Sequence, residues 1–570
     1  MAGAARIVLL PDAPPDLPTV PAEAFDVVVV GAGAAGFSAA LTAADAGANV
    51  IMLEKGKWPG GTTRRSGGQY WVPNNSLMRS AGMSDDEDDA VRYMARLSYP
   101  TRYDPGSKTL GISEHDLSML RTYAGRATQA VDALAASGAL VSEMSLLGRA
   151  YPNWGEDYQR DYHADLQEPQ VLGRHLNQQS GQSGTDLIAA LTASARRSGI
   201  PIRCLHRVVG LLVASDERVV GVVVDSEDGR QYLWARRGVI FGSGGFAHNK
   251  DMTTRYLRGQ IMGSCAVPAN TGDFQRLAAQ MGVPLGNMGN AWWNQVAVEE
   301  MLIEPSSSAA VWLPYGDAMM LVNRFGKRVV NEKAIYNERS QVHFAWDATK
   351  REYPNHLLFM MFDHKVASSE AMFDFRWPVP LPRDPSRVVI RGDWWEELAE
   401  RVDRRLASLG ERVGNVRLAA NFLDQLLQTI GRCNRCSESG GDEDFGRERT
   451  SRLAWHAPTS AQADPAPLMR PFPEDGPFYC VILGLGALDT KGGPEIDEAG
   501  QVLSADGRPI VGLYGAGNCV ASPAGQAYWS AGATIGLALT FGYIAASDVV
   551  TQPPADVEAF ASRAPVRTRL

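Results

Sequence analysis

The chain has 570 residues, with 55 Lys+Arg against 64 Asp+Glu and a formal net charge of −9. That balance argues against a nucleic-acid partner, whose phosphates demand a basic face. Apolar residues at 45% and charged residues at 21% exclude disorder, collagen and coiled coil for the chain as a whole, and leave glycine, 57 of 570, as an excess over an average of roughly 7%.

Met1 to Pro21 holds one arginine, a short apolar run and several prolines. It lacks the apolar core of a secretion signal and reads as a flexible leader, residues 1–23. From Phe25, FDVVVV is a continuous β-branched run suited to a strand buried on both faces of a parallel sheet. It enters GAGAAG, Gly31 to Gly36, then a helical pattern ending at Gly47 and a second apolar strand ending in Glu54. This βαβ context makes the glycine motif a dinucleotide fingerprint. Gly31 allows the tight turn, Gly33 the approach of a pyrophosphate and Gly36 close helix–strand packing, while Glu54 accepts from ribose hydroxyls.

The Gly-rich stretch Pro59 to Asn75 reads as a functional loop, and SDDEDD (Ser84 to Asp89) as a helix N-terminus with a solvated face. RRGVIFGSGGF (Arg236 to Phe246) and GLYGAGN (Gly512 to Asn518) are two further strand-to-glycine junctions. Three such junctions far apart predict one nucleotide site assembled from both ends of the chain. Between them, residues 290–467 differ in texture, with tryptophan pairs at Trp292–Trp293 and Trp394–Trp395 and helical stretches such as Trp394 to Leu409.

The expected organisation is an α/β protein: a Rossmann-type nucleotide-binding domain in two parts (24–289 and 468–552), an inserted α+β catalytic or cap domain (290–467) and a tail (553–570). Ala531 to Ala546 is interrupted by Gly532, Thr534, Gly536, Thr540 and Gly542 and falls short of the ~18–20 apolar residues of a membrane span. It reads as a buried helix. Six scattered cysteines do not form a disulfide framework, so the expected location is the cytoplasm or a membrane periphery. Cys433 and Cys436 form a C-x-x-C without a second ligand pair at zinc spacing, and no metal is expected.

Taken together, these motifs resemble the flavoproteins of the fumarate reductase and succinate dehydrogenase superfamily, and within it the 3-ketosteroid Δ1-dehydrogenases. The resemblance runs through GGTT, SGG and WVPNN (Gly60 to Asn75), DYHADL and GRHL (Asp161 to Leu176), AWW (Ala291 to Trp293) and VNRFGKRVVNE (Val322 to Glu332). It continues through CNRCSESGGDEDFGR (Cys433 to Arg447), GPFYCV (Gly476 to Val481), DTKGGPEID (Asp489 to Asp497) and GAGN to AYWSAGATIGLALTFGY (Gly515 to Tyr543). It implies FAD, noncovalently held because no histidine stands between Thr62 and Gly68. Ser66, Gly67 and Gly68 would run beside the flavin ring, with Gly517 and Asn518 near the ribityl chain and pyrophosphate. Ala34, Ala35, Lys55, Gly61, Thr62, Thr63, Gly244, Ala533 and Ile535 complete the expected contacts.

The implied reaction removes an α-proton and a β-hydride beside a ring ketone. Tyr528 and the Gly532 N–H would hold the ketone oxygen, Tyr336 would be the base and Tyr123 its assistant. Arg339 is a rival for an acid or anchoring role, and is read as a surface cation. Two departures from the family pattern are Trp529-Ser530-Ala531 after Tyr528 and the pair Arg64 and Arg65 in the flavin-side loop. Ser530 resembles the Δ4-dehydrogenases, and Arg64 or Arg65 would suit a substrate carboxylate. The expected partners are a steroid or smaller cyclic ketone and an external, quinone-like or other electron acceptor. An oxocyclohexane carboxylate dehydrogenase, a Δ4-dehydrogenase, a fumarate-reductase-like alkene reductase and a non-catalytic flavin sensor stand as alternatives.

Overall fold

The computed structural model describes residues 5–14, 17–144, 171, 173–179, 181, 183–308, 316–368, 388–447, 469–561 and 566–567. The DYHADL stretch lies outside them. The first body is a ten-stranded sheet. Its strands include β1 (Arg6–Leu9), β2 (Glu23–Val30), β3 (Val50–Leu53), β4 (Arg207–Val213), β5 (Val219–Ser226) and β6 (Gly229–Phe241). Val27, Val28 and Val29 of β2 have no exposed surface, as a strand flanked by parallel partners requires. Helix α1 (Ala34–Asp45) follows at once. The turn into it needs Gly31, at φ +101°, where a Cβ would stand 2.5 Å from the Gly242 carbonyl oxygen.

The leader is not free-standing. Ile7 and Val8 are buried in β1, which pairs antiparallel with β4, and a short strand at Val566–Arg567 pairs parallel with β1. The apolar run RIVLL is long enough to add a strand to the sheet, which is why Arg6–Leu9 is drawn into the fold. Helix α2 (Glu114–Ala136) is N-capped by Ser113, whose Oγ accepts from the Asp116 N–H at 3.0 Å. The acidic run ends in a similar cap, with Asp86 accepting from Asp89 N–H at 2.8 Å.

The second body is built on a six-stranded sheet. It contains β7 (Ala291–Ala297), β8 (Met319–Val322), β9 (Leu357–Asp363), β10 (Val389–Gly392) and β11 (Phe478–Thr490). Helices α3 (Tyr336–Ser340) and α4 (Phe422–Ser439) belong to it as well. Strand β11 pairs with β7, β9 and β10 and runs through the middle of this sheet. The return to the first body therefore falls after Thr490 rather than at 468, because a doubly buried apolar strand carries no mark of which sheet it joins. Cys433 and Cys436 are buried on α4 as free thiols, with Cys433 pushed up to about 11, chiefly by burial. Cys436, Asp442 and Asp444 lie close together, but Asp442 is ion-paired to Arg328 and Asp444 to Arg432.

The chain returns through β12 (Pro509–Gly515), parallel to β6, and ends its core in helix α5 (Ala533–Val549). In register, Phe241 stands beside Val30 on one side and Gly515 on the other. All three strand-to-glycine junctions thus open side by side at the carboxyl edge of the parallel strands, where α/β sheets take ligands. No helix among the described residues is long and apolar enough to cross a membrane.

Candidate active site

A cavity of about 660 Å³ runs from these junctions to the second body. Of the residues expected from the sequence, it is lined by Gly31, Gly33, Ala34, Ala35, Glu54, Lys55, Gly61, Thr62, Thr63, Ser66, Gly67, Gly68, Gly244, Gly517, Asn518 and Ile535, with Tyr336, Tyr528 and Gly532. The tyrosines form a compact group. The Tyr336 and Tyr528 rings are 5.3 Å apart and inclined by 37°, and the Gly532 N–H donates to the Tyr528 Oη at 3.3 Å. Burial pushes the Tyr528 phenol up, opposed by hydrogen bonds with Tyr336 and the Gly532 N–H. Gly532 has φ +87°, and a Cβ there would meet the Gln69 and Tyr70 backbone at 2.8–2.9 Å, so the chain can pass only as glycine.

The model of the FAD binding domain matches residues 26–535. The 3-oxosteroid 1-dehydrogenase of Mycolicibacterium smegmatis is 31% identical over 92% of this chain and 97% of its own length. The chain belongs to the FAD-binding flavoprotein family of the 3-oxosteroid 1-dehydrogenases. It is also 29% identical to the 4-oxocyclohexanecarboxylate 2-dehydrogenase of Sinomonas cyclohexanicum, over 93% of this chain and 94% of that one. Its fold matches that of a 3-ketosteroid delta1-dehydrogenase from Sterolibacterium denitrificans, with a TM-score of 0.73 at 24% identity over 93% and 99% of the two chains. The protein is thus an FAD-dependent oxidoreductase of the class that acts on CH–CH groups.

The residues of this flavoprotein fit FAD on physical grounds. Helices α1 and α5 begin at Gly33 and Gly532 with no side-chain cap, which leaves N-terminal N–H groups and partial positive charge for anionic or electron-rich groups. The backbone at Gly61 and Gly67 has open space where a Cβ would stand. Glu54 is buried and oriented at one end of the cavity, its Oε2 accepting from Ala32 N–H at 3.0 Å and its Oε1 from Gly56 N–H at 2.6 Å. Lys55 Nζ is tied to Thr271 Oγ1 at 2.5 Å and Asp273 at 3.0 Å.

Three expected site residues do not line the cavity. Gly36 serves packing alone, since a Cβ would lie 1.8 Å from the Gly31 carbonyl oxygen. Gly36→Ala is accordingly expected to yield protein that purifies without flavin. A wild-type ratio of flavin to protein absorbance would contradict this. Ala533 is fully buried behind Gly532. Tyr123 is a correction: it is fully buried, stacked on Trp71 at 6.2 Å, and its hydroxyl donates to the Trp71 carbonyl. The phenol rides on the apolar face of α2 with Leu120 and Ala127, and burial holds it far above the usual phenol range. Its hydroxyl is committed to that carbonyl and does not line the cavity.

Arg339 is also not the surface cation expected. It is 3% exposed, with Nε donating to Gln295 Oε1 at 3.2 Å and Nη1 to the Ala334 carbonyl at 2.8 Å. Ser530 is fully buried, 2.9 Å from His175 Nε2, and does not line the cavity, so it brings no hydroxyl to a substrate. The two loop arginines separate: Arg64 is outside the cavity lining, whereas Arg65 lines it, with Nη1 held by Ser306 Oγ at 2.7 Å, Ser306 O at 3.1 Å and Ala266 O at 3.3 Å.

Sequence reasoning missed two wall residues, Trp292 and Asp489, and the buried Lys491 behind them. Trp292 donates through Nε1 to Asn518 Oδ1 at 2.9 Å and meets the Tyr528 ring edge-to-face at 5.5 Å. Asp489 accepts from Asn270 Nδ2 at 2.7 Å, Asn518 Nδ2 at 3.1 Å and Gly245 N–H at 3.2 Å; burial pushes it up to about 6 against those donors. Lys491, fully buried, donates to the Ala527 carbonyl at 2.6 Å and sits 4.2 Å over the Trp292 ring, with burial driving it well below the usual lysine range. All three lie in motifs quoted for the family, AWW and DTKGG. For Asp489 and Lys491 the signal available was their type, an acid and a base next to glycines.

Proposed function

We propose that this flavoprotein introduces a carbon–carbon double bond next to a ring ketone, at the 1,2-bond of a 3-ketosteroid. The observation that carries the reading is the Tyr336–Tyr528–Gly532 group in the wall of the FAD cavity. With no substrate bound, the Gly532 N–H donates to the Tyr528 Oη at 3.3 Å; a ketone oxygen inserted between them would accept from both. As the ketone enolises, the electron pair of the α C–H bond moves toward that oxygen, where the two donors stabilise the developing charge. Tyr336 in its phenolate form accepts the α-proton, since a phenol with a reference pKa of about 10 is otherwise too weak a base. Bound FAD supplies the acceptor for the β-hydrogen, which leaves with its electron pair as hydride. Trp292, Leu488 and Ile535 form apolar walls for a flat ring. The electrons then pass to an external acceptor. The direct check is product analysis with 4-androstene-3,17-dione: loss of two hydrogens with a new 1,2-double bond supports the reading, and recovery of unchanged steroid with reoxidisable flavin opposes it.

A second reading has its own observation. Arg65 brings a guanidinium into the cavity wall, where a neutral steroid has no use for it, and a relative of comparable identity is named for an oxocyclohexane carboxylate. A charge-assisted hydrogen bond is worth about 1.5–3 kcal/mol. On the carboxylate reading, Arg65→Ala therefore raises KM for 4-oxocyclohexanecarboxylate by about 10–100-fold. On the steroid reading it leaves KM for 4-androstene-3,17-dione within twofold. Steady-state kinetics with both compounds separates the two.

A further inference from the structure

With Tyr123 removed from the site, the group that favours the phenolate form of Tyr336 has to be found elsewhere. Arg339 follows Tyr336 by three residues in α3, on the same side of the helix. Its hydrogen-bond partners among the described residues are all neutral: Gln295 Oε1 at 3.2 Å, the Ala334 carbonyl at 2.8 Å and the Glu332 carbonyl at 3.4 Å. Its Nη2 is buried and has no hydrogen-bond partner among the described residues. Burial pulls the guanidinium down to about 9, against Glu332 and then Tyr336, which hold it up, so it is charged at neutral pH.

The surrounding charges do not cancel it. Glu332, the carboxylate whose charge acts on Arg339, is already shared by Arg328 at 2.8 Å and Arg447 at 3.5 Å. Lys333 feels Arg339 as a like charge. His343 reaches the group only through Gln295 Nε2, at 3.2 Å, and burial keeps it down to about 4, hence neutral. On α3 itself, Glu338 accepts from Asn337 Nδ2 at 2.9 Å and acts electrostatically on Lys491 and Arg258, while Lys491, just beyond β11, is driven toward its neutral form by burial. A buried cation without a carboxylate in contact exerts its field on whatever nearby group can become an anion.

We infer that Arg339 is a positioning residue that holds Tyr336 in the phenolate form required of the base. The inference rests on the assignment of Tyr336 made above. The phenolic proton leaves to solvent before turnover, and the phenolate then takes the α-proton of the substrate, so protons balance over the cycle. Arg339 itself neither gives nor takes one.

The test uses the holoenzyme with Arg339→Gln, Arg339→Lys and Tyr336→Phe. Anaerobic flavin reduction by 4-androstene-3,17-dione, and in parallel by 4-oxocyclohexanecarboxylate, is followed against pH. Arg339→Gln is expected to move the rising limb at least one unit toward alkaline pH, a tenfold loss of phenolate at fixed neutral pH, with Arg339→Lys between it and the parent. A rate lowered equally at every pH, or an unmoved limb, overturns the inference while leaving the base assignment intact. Full activity in Tyr336→Phe overturns the base assignment instead. Ultraviolet titration of tyrosinate, parent minus Tyr336→Phe, reads the same group without substrate and without the glutamine variant. A phenol ionising below about 10 supports the inference, and one ionising at or above that value overturns it.

Discussion

Tyr336→Phe is expected to lower the rate of flavin reduction by a ring ketone by about 10²–10⁴, the usual span for loss of a positioned general base, with the flavin spectrum and thermal stability unchanged. The structural basis is the half-buried position of Tyr336 in the cavity wall, its ring 5.3 Å from that of Tyr528. Phenylalanine keeps the ring and the packing and removes only the oxygen that takes the proton. The loss belongs in kcat, because nothing in the ground state requires that oxygen to hold the ketone. Stopped-flow reduction under anaerobic conditions measures the step in isolation. Parent-like reduction would exclude Tyr336 as the base.

Tyr528→Phe removes one of two donors from the ketone oxygen. A loss of about 10²–10³ in rate is expected for one such donor, larger in kcat than in KM because the hydrogen bond strengthens as the oxygen gains charge. Gly532 N–H remains and, freed of its 3.3 Å contact with the Tyr528 hydroxyl, still binds the carbonyl. The ring also packs against Trp292 at 5.5 Å, so the phenylalanine variant keeps the wall intact. A change confined to KM would mean that Tyr528 binds substrate without stabilising the enolate.

The nucleotide half of the fold was readable in the sequence because its signals are backbone signals. A β-branched run, glycines at fixed spacing and a helix without a cap leave few other structures possible. The sheet register that brings Val30, Phe241 and Gly515 together then follows from strand pairing alone. Side-chain direction was not readable in the same way. Tyr123 and Tyr336 are both tyrosines in family-like segments, yet α2 turns the first onto Trp71 and α3 turns the second into the cavity. Arg339 looks like a surface residue in the polar run NERS and is buried because α3 packs against β7, where Gln295 receives its Nε. The apolar leader and strand β11 were misplaced for a related reason: a short apolar run does not state which sheet it will complete.

The most direct measurement is anaerobic mixing of the purified holoenzyme with 4-androstene-3,17-dione and with 4-oxocyclohexanecarboxylate while the oxidised-flavin absorbance is recorded. Bleaching by at least one of them, with formation of the α,β-unsaturated ketone and its loss in Tyr336→Phe, is the predicted result. An absorbance that no ring ketone bleaches would contradict the account.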